Sequence, residues 1–567
     1  MPLSLFSKMG NSRSAPSTPV IATRDGKIQG KRLVDEPNFK ADAYLGIPFA
    51  QPPLGDLRFR KPVAPNKWAD TRECFEHPKK CIQVPFELLS QNDKDWPASE
   101  DCLYLNLFCP GDYTLKGQFL IILRLLSVWF PWLSHDNYNK YPVMLFIHGG
   151  GYACGSVKAY GEQGICDGLV RQGVVVVTIQ YRLGIFGFFS TGDEVCPGNL
   201  GLWDQIEALK WVKDNIEHFG GDKARIYFLI ISLSTYDNVT ILGQSAGGAS
   251  VDLLSLSPHT KGLIHRVIPM AGNAHAPWAH RKTTADYCRE YAETKLGIKA
   301  DSSSELISQL RRVSADRLAT ELHMETALAE TFLGFCPVID GDLLPRPVEE
   351  LRKVAPVLPV MAGVTSLECG LFIPNKDLTE ENIKKMAEAM LPDSAIKEST
   401  DALVKMYREV ALRKQPKNEL WRAMVEIAGD RMFNISTVET LKKCSQRGAA
   451  TYFYVFDYYN PKCLGPFSEM APSSDASHCS ELAYVFNAGV AAPFAFCDHD
   501  KQMADMTMKA FANFAKRGNP NDEGEKCWLP FDFEHPGRHM VIDLKPRMEE
   551  EYLGGRCTRW MELQKHE

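Results

Sequence analysis

Residues 238–250, NVTILGQSAGGAS, constrain the fold of this chain more than any other segment. The apolar run at 239–242 is typical of a β-strand, and a helical run follows at 249–254. Between them stands Gly243-Gln244-Ser245-Ala246-Gly247. A strand can turn sharply into a helix here only if the positions two before and two after Ser245 lack side chains. The spacing therefore predicts a strained strand–turn–helix that exposes the Ser245 hydroxyl.

Strand and helix patterns alternate along most of the chain. The runs at 143–147 and 174–181 are almost continuously apolar, which is typical of strands buried on both faces. Residues 202–218 carry one apolar stripe and form the clearest amphipathic helix. A further strand is predicted at 104–108, and further helices at 283–296, 303–322, 380–390, 400–412 and 505–517. This order predicts a single α/β domain with a large, mostly parallel central sheet flanked by helices.

Composition excludes several classes of protein. The 567 residues carry a formal net charge of −6, so we expect no basic surface for nucleic acid. The 16 cysteines contain no Cys-x-x-Cys pair, which argues against a zinc site. Because no linker-like stretch or internal repeat divides the chain, we expect one domain over residues 20–562. A Ser/Pro-rich tail at 1–19 is predicted to be disordered.

The N-terminal region bears on location. Its apolar run is too short for a signal peptide, so we expect a cytoplasmic protein. Met9-Gly10-Asn11-Ser12-Arg13-Ser14 matches an N-myristoylation signal on Gly10 if translation starts at Met9. A single myristoyl chain would give only weak membrane association. The alternative is a chance match in a Ser-rich tail.

A second glycine-rich segment follows the strand at 143–147. It reads His148-Gly149-Gly150-Gly151 and lies upstream of Ser245. Consecutive glycines after a buried strand expose backbone N–H groups at the carboxyl edge of the sheet, where they can stabilise a negatively charged oxygen. Together the two motifs predict acyl-transfer chemistry with Ser245 as the nucleophile.

The residues alone leave the acid and the base of such a site open. His478 is a candidate base because its polar loop leads into a helix, where a mobile but anchored imidazole would lie. Candidate acids are Glu368, which follows the apolar run 357–364, and Asp340. The other histidines well beyond Ser245 are His323, His499, His535, His539 and His566, and position in the sequence alone does not choose among them.

These motifs resemble the type-B carboxylesterases, the cholinesterase-like family that includes gut esterases and juvenile-hormone esterases. The resemblance runs from about Val20 to Trp560, essentially the whole chain. Other matching segments are 44–50, 57–59, 99–106, 181–184, 198–205, 219–222 and 337–341. The resemblance implies an α/β-hydrolase fold and a serine carboxylesterase that cleaves small-molecule esters without a cofactor or a metal.

The resemblance also implies residue roles. Ser245 would be the nucleophile, Glu368 the acid and His478 the base, whereas Asp340 would be structural. The oxyanion hole would be formed by Gly150, Gly151 and Ala246, and Trp278 would line the acyl pocket. The resemblance further implies the ion pairs Arg58–Glu100 and Arg182–Asp204 and a disulfide between Cys81 and Cys102, which we expect to stay reduced in a cytosol.

The chain departs from the family pattern at several positions. Gln244 stands where cholinesterases carry a glutamate, and Trp96 is out of register with their choline-binding tryptophan. Because a quaternary ammonium site needs an aromatic face and nearby negative charge, we expect a general carboxylesterase. Cys288 and Cys557 have no evident partners. The alternative function is that of a catalytically silent, neuroligin-like adhesion protein, which the presence of all three triad residues disfavours.

Two segments are extra relative to the family pattern, at about 117–137 and 225–237. Both are rich in Phe, Leu, Ile and Ser, and we interpret both as translated intron sequence. The alternative is an apolar patch that contacts a membrane. The first includes the apolar run 119–133, which is too short and too interrupted to span a bilayer.

Overall fold

The computed structural model describes residues 16–83, 93, 95–111, 141–221, 238–320, 334–376, 378–391, 396–465, 468 and 471–564. In this part of the chain, eleven strands form one sheet. The strands are β1 (Lys31–Glu36), β2 (Phe39–Pro48), β3 (Tyr104–Pro110), β4 (Val143–Ile147), β5 (Val175–Ile179), β6 (Val239–Gln244), β7 (Arg266–Met270), β8 (Val360–Thr365), β9 (Thr451–Phe456), β10 (His539–Ile542) and β11 (Arg547–Glu549).

The strand order across the sheet is β11-β10-β9-β8-β7-β6-β4-β5-β3-β2-β1. All pairs from β10 to β5 are parallel, whereas the pairs at both edges are antiparallel. The carboxyl ends of the central parallel strands therefore meet at one edge, where connecting loops can form a site. The prediction of an α/β fold with a mostly parallel centre is confirmed.

Helices cover both faces of the sheet. They are α1 (Gln163–Ile165), α2 (Gly184–Phe188), α3 (Leu200–Asn215), α4 (Ala246–Leu256), α5 (Thr284–Thr294), α6 (Ser303–Arg312), α7 (Ala315–Thr320), α8 (Val348–Val354), α9 (Glu380–Met390), α10 (Ile396–Lys414), α11 (Glu419–Gly429), α12 (Ile435–Gln446), α13 (Pro461–Leu464), α14 (Leu482–Val485), α15 (Asp498–Arg517) and α16 (Arg556–Gln564). No helix in these residues is both long and apolar enough to cross a bilayer.

Alternate residues of the central strands enter two separate hydrophobic cores. In β4, Val143, Leu145 and Ile147 belong to one core, whereas Met144 and Phe146 belong to the core on the opposite face. Because each strand is buried on both faces, it reads as a continuous apolar run rather than as an alternating pattern. This burial fixes the register of the strands that carry the glycine-rich motifs.

The cysteine and ion-pair expectations can be compared with the structure. Cys81 and Cys102 are joined as a disulfide, as the resemblance implies, so the expectation that this pair stays reduced is wrong for this structure. Cys288 and Cys557 are free. Both implied ion pairs are present with two hydrogen bonds each: Arg58–Glu100 at 2.7 and 2.5 Å, and Arg182–Asp204 at 2.8 and 2.7 Å.

Residues 16–19, the described part of the tail predicted to be disordered, are ordered. Thr18 is buried, and its hydroxyl accepts the Gly30 N–H at 2.9 Å, while the Pro16 carbonyl accepts the Arg32 N–H at 2.8 Å. Residues 16–19 therefore pair with the start of the domain. The proposed lipidation site Gly10 and the extra segments 117–137 and 225–237 lie outside the described residues.

Candidate active site

Ser245 lies at the sharp turn between β6 and α4, as the glycine spacing predicts. Its φ and ψ angles are 58° and −125°, a region that residues with a side chain rarely adopt. A Cβ atom on Gly243 would lie 2.3 Å from the carbonyl oxygen of Gly247, and one on Gly247 would lie 2.1 Å from that of Ile147. Both glycines are therefore required where β6, α4 and the neighbouring strand β4 meet.

A parallel bridge between Leu367 and Ser477 brings the candidate acid and base together. The His478 Nδ1 atom lies 2.5 Å from Glu368 Oε2, and the other carboxylate oxygen, Oε1, accepts the Thr365 N–H at 2.6 Å. Both side chains are buried. The carboxylate is thus held in one orientation and favours the tautomer with the proton on Nδ1 and a lone pair on Nε2.

The other candidate acid lies elsewhere. Asp340 Oδ1 accepts the backbone N–H groups of Asp342 and Leu344 at 3.1 and 2.8 Å, which closes a turn. Of the remaining candidate histidines, His535 contacts Asp532, His539 contacts the Gly537 carbonyl and His499 is exposed. His323 and His566 lie outside the described residues. The geometry therefore pairs Glu368 with His478.

The glycine loop after β4 packs directly against the turn that carries Ser245. A Cβ atom on Gly149 would lie 2.5 Å from the Gln244 carbonyl oxygen and 3.0 Å from Ser245 Cβ. Gly150 has a φ of 110°, which lets the loop fold back on itself at this point. In the described part of the chain, no hydrogen-bond acceptor is found for the N–H groups of Gly150, Gly151 and Ala246. These groups are available to a ligand.

His148 supports this loop as an uncharged ring. Its Nδ1 donates to the Gly149 carbonyl at 2.8 Å. The Tyr181 hydroxyl donates to the His148 carbonyl at 2.8 Å, and the two rings stack with centroids 4.5 Å apart. Burial lowers the pKa of His148 to about 4, so the ring is neutral at pH 7.

Aromatic rings surround the candidate base. The Phe433 and Phe372 ring centroids lie 4.8 and 5.2 Å from that of His478. Trp278 lies 5.6 Å from Phe433, and its Nε1 donates to the Met432 carbonyl at 2.9 Å. A Cβ atom on Gly272 would contact both the Ser245 carbonyl oxygen and the Trp278 ring, so Trp278 lies close to the serine. This side of the site is therefore apolar.

Gln244 and Cys479 form a second set of contacts with the base. The Gln244 Nε2 atom lies 3.1 Å from His478 Nε2. The Cys479 thiol donates to Gln244 Oε1 at 3.3 Å. Cys479 has a φ of 73°, so it is a second strained residue with a side chain beside this site.

Glu481 is a buried carboxyl group close to the acid and base. Only 2% of the residue is exposed, and its Oε2 has no hydrogen-bond partner among the described residues. Burial, followed by the negative charge of Glu368, raises the pKa of Glu481 to about 8. Glu481 is therefore mostly a neutral acid at pH 7.

Comparison with known proteins identifies the family. The sequence profile of the carboxylesterase family matches residues 17–560. This chain belongs to the carboxylesterase family. The family has the α/β-hydrolase fold, which agrees with the sheet and helices described above.

Individual relatives support the same assignment for this carboxylesterase. Esterase cest-33 of Caenorhabditis elegans is 36% identical over 528 residues, which cover 91% of this chain and 89% of that protein. Liver carboxylesterase 1 of Oryctolagus cuniculus is 34% identical, with 97% of this chain and 94% of that protein covered. Cocaine esterase of Homo sapiens is 32% identical, with coverages of 96% and 91%. The chain is a carboxylic ester hydrolase.

One group of side chains outside the site has the composition of a metal site. Ligand atoms of His275, Glu349 and Glu439 lie within 4.8 Å of one another. However, the Lys443 ammonium contacts Glu349 at 2.6 Å and Glu439 at 2.8 Å. Because a cationic side chain already bridges both carboxylates, this carboxylesterase needs no metal ion there to balance their charge.

Sequence reasoning missed several residues around the base. Phe372 and Phe433 approach His478 from distant segments, and no local pattern indicates this. Glu481 follows His478 by three residues, so its place in the same loop was the available signal. Gln244 departs from the family pattern, but no sequence pattern predicts its contacts with His478 and Cys479.

Proposed function

We propose that this carboxylesterase hydrolyses short-chain, neutral carboxylic esters through a triad of Ser245, His478 and Glu368. The observation that carries the proposal is the 2.5 Å contact between His478 Nδ1 and Glu368 Oε2. Gln244, which precedes Ser245 in the sequence, contacts the same imidazole. The His478–Glu368 pair therefore lies beside the turn that carries Ser245.

In the acylation half of the reaction, Ser245 Oγ attacks the ester carbonyl carbon while His478 Nε2 accepts the serine proton. Glu368 keeps the proton on Nδ1 and stabilises the imidazolium that forms. The imidazolium then donates its Nε2 proton to the alkoxide as the bond between the acyl carbon and the alcohol oxygen breaks. The products of this half are a free alcohol and an acyl group bound to Ser245.

In the deacylation half, a water molecule takes the place of the alcohol. His478 Nε2 accepts a proton from the water as its oxygen attacks the acyl carbon. The bond to Ser245 Oγ then breaks, the serine recovers its proton and the carboxylic acid leaves. The base therefore performs the same proton transfer twice.

The oxyanion of both tetrahedral intermediates would be bound by the N–H groups of Gly150, Gly151 and Ala246. The absence of protein acceptors for these groups within the described residues supports this role. The first residue of a helix such as α4 has no intrahelical partner for its N–H, so Ala246 is suited to bind an anion. Each such donor is typically worth about 3 kcal/mol in the transition state.

The preference for neutral esters rests on the charges and rings near the site. Trp278, Phe372 and Phe433 provide apolar surface for an acyl group. The face of Trp96 is covered by the Lys158 ammonium, 4.2 Å from the ring centroid, so a choline cation would meet a like charge there. The names of the relatives, liver carboxylesterase and cocaine esterase, also support carboxylic esters as substrates. These names do not favour an adhesion protein.

The test is labelling with an organophosphate and turnover of a panel of nitrophenyl esters of rising chain length. We expect Ser245 to be labelled and Ser245→Ala to lose on the order of 10⁴-fold or more in turnover. Ser255→Ala, on the same helix α4, is the matched control and should keep full activity. Full activity of the Ser245→Ala protein would remove this serine from the mechanism.

A choline ester of equal acyl length completes the panel. We expect its kcat/KM to be lower than that of the neutral ester, because Gln244 supplies no negative charge. The opposite order would refute the proposed substrate class while leaving the triad intact.

A further proposal is attachment of a myristoyl chain to Gly10 when translation starts at Met9. The support is the sequence match alone. Mass measurement of the N-terminal peptide from the natural protein tests it, since an acylated Gly10 gains the mass of one myristoyl group.

A further inference from the structure

The Phe433 ring lies among the other aromatic side chains of the candidate site. Its centroid lies 4.8 Å from that of His478, 5.6 Å from that of Trp278 and 6.4 Å from that of Phe372. The residue is buried, with 3% of its surface exposed. By the proposed function this apolar surface receives the acyl group, so the position of Phe433 decides how long an acyl chain fits.

Phe433 belongs to a π-helical turn, Asp430–Asn434, which joins α11 to α12. Turns of this kind are rare and are frequent at functional sites. The same turn supplies the Met432 carbonyl that accepts the Trp278 Nε1–H at 2.9 Å. What holds this turn in place therefore also holds the aromatic side of the site.

The Phe433 carbonyl is connected to the side chain of Asn273, from the loop 271–279 that follows β7. The carbonyl accepts the hydroxyls of Ser436 and Thr437, both on α12, at 3.0 and 2.8 Å. Each hydroxyl in turn accepts a hydrogen from the Asn273 amide, at 3.0 Å for Ser436 and 3.2 Å for Thr437. Two hydrogen-bonded links thus run from one amide group to the backbone of Phe433.

The oxygen of the Asn273 amide is held as firmly as its nitrogen. Asn273 Oδ1 accepts the His275 N–H at 2.9 Å and the Thr440 hydroxyl at 3.1 Å. Because a backbone N–H can only donate, it fixes the amide oxygen on this side and the nitrogen on the side of α12. Both hydrogens and both lone pairs of the amide are used, and only 1% of the residue is exposed. A buried amide with all of its hydrogen bonds made is held in one orientation.

Asn273 also lies beside the candidate nucleophile. It follows Gly272, where a Cβ atom would lie 2.1 Å from the Ser245 carbonyl oxygen. Ala271, at the start of this loop, has a φ of 45°, which is strained for a residue with a side chain. The loop is therefore packed against the backbone of Ser245, and the Asn273 side chain bridges from there to Phe433.

We propose that Asn273 is a specificity-determining positioning residue, which fixes the distance between Ser245 and the Phe433 ring and thereby limits the acyl group to short chains. The inference rests on the proposed function and names the residue behind its preference for short chains. A longer acyl chain must push Phe433 aside, and this movement breaks at least one of the two links. In a protein without the amide, longer chains no longer meet this penalty.

The experiment compares kcat/KM for nitrophenyl octanoate with kcat/KM for nitrophenyl acetate in the full chain. Asn273→Leu keeps the branched skeleton of the side chain but can neither donate nor accept. We expect the octanoate-to-acetate ratio to rise about five-fold, the factor that corresponds to one net hydrogen bond of about 1 kcal/mol. The rise should come from octanoate, because an acetyl group is too short to displace Phe433.

Asn215→Leu is the matched control for the loss of a buried amide. Asn215 is also 1% exposed, and its amide binds the Arg24 N–H and the Trp211 carbonyl, at 2.8 and 2.9 Å, which belong to neither the loop nor the π-helical turn. This variant should be destabilised but should keep the wild-type ratio. Thr437→Val removes one of the two links, so its ratio should rise by less than that of Asn273→Leu.

The outcomes separate the two proposals. If the wild type hydrolyses neither ester, the proposed function is refuted, and this inference with it. If the wild type hydrolyses them but Asn273→Leu lowers kcat/KM for both by the same factor, Asn273 has only a structural role and the inference alone is refuted. Melting temperatures identify a variant that is not folded. Should Asn273→Leu be such a variant, Thr437→Val decides, since an unchanged or lower ratio refutes the inference.

Discussion

Replacing Glu481 with glutamine should change how the stability of the protein depends on pH. The pKa of Glu481 is raised from 4.5 to about 8 by burial and by the charge of Glu368. A raised pKa means that the folded state binds this proton more tightly than the unfolded state. Its contribution to stability is therefore fully present below pH 4.5, is lost as pH rises toward 8, and changes little above that.

The size of the effect follows from the shift. One pKa unit corresponds to about 1.4 kcal/mol, so complete ionisation of Glu481 would cost the folded state about 5 kcal/mol. Between pH 5 and pH 7 the loss is about 2.5 kcal/mol. The Glu481→Gln protein cannot lose this proton. Its free energy of unfolding should therefore rise relative to the wild type by about 2.5 kcal/mol over the same interval.

Urea unfolding of both proteins at pH 5, 6, 7 and 8 measures the difference. Glu388→Gln, an exposed position on α9, is the matched control and should follow the wild-type curve. If Glu481→Gln and the wild type show the same pH dependence, Glu481 is not a neutral acid in the folded protein, and the reasoning from its burial is wrong.

Two further predictions concern the acid and the extra segments. Glu368→Gln should lower kcat by about 10⁴-fold, because the imidazolium loses its partner, and should leave the circular dichroism spectrum unchanged. Asp340→Asn should leave kcat unchanged. If Asp340→Asn lowers kcat and Glu368→Gln does not, the assignment of the acid is wrong. Deletion of 225–237 should leave nitrophenyl ester hydrolysis at or above the wild-type rate. Gly221 pairs with Tyr141 and Val239 pairs with Val143. Because Tyr141 and Val143 are two residues apart, about 7 Å along an extended chain, the shortened connection can still join Gly221 to Val239. Peptides from this segment in the natural protein, together with lower activity after its deletion, would show that it belongs to the enzyme.

The sequence predicts the central strands well because their burial leaves a simple pattern. The strand predicted at 143–147 is β4, residue for residue. The helix predicted at 303–322 divides instead, since Val313 is extended and the Ser314 hydroxyl accepts the Arg317 N–H, starting a new helix. The apolar stripe continues through this break, so periodicity alone could not reveal it.

Helix starts were also difficult to predict where the first turn is polar. The helix predicted at 505–517 begins at Asp498, because Asp500 accepts the Cys497 N–H and caps the first turn. This turn contributes little to the apolar stripe from which the helix was recognised. Capping contacts decide such boundaries, and they depend on only one or two side chains.

The sequence predicts those parts of the candidate site whose geometry depends on neighbouring residues in the chain. It leaves open the contacts between residues that are far apart in the sequence. The strained turn at Ser245 follows from two glycines and their spacing. The choice between Glu368 and Asp340 depends on a bridge between residues 110 apart, and the residues themselves left it open until the family resemblance was considered. The Gln244–His478 contact joins residues 234 apart and has no counterpart in any short pattern.

The order of the site along the chain has a consequence for synthesis. The glycine loop at His148 leaves the ribosome about 330 residues before His478 does. At typical rates of 5 to 20 residues per second, roughly 15 to 65 s pass between the two. Throughout that interval the nascent chain lacks His478, the proposed base, and until Glu368 is made, 220 residues after His148, it lacks the proposed acid as well. By the proposed mechanism, hydrolysis begins only after His478 and most of the sheet have been made, and esterase activity then marks nearly completed synthesis.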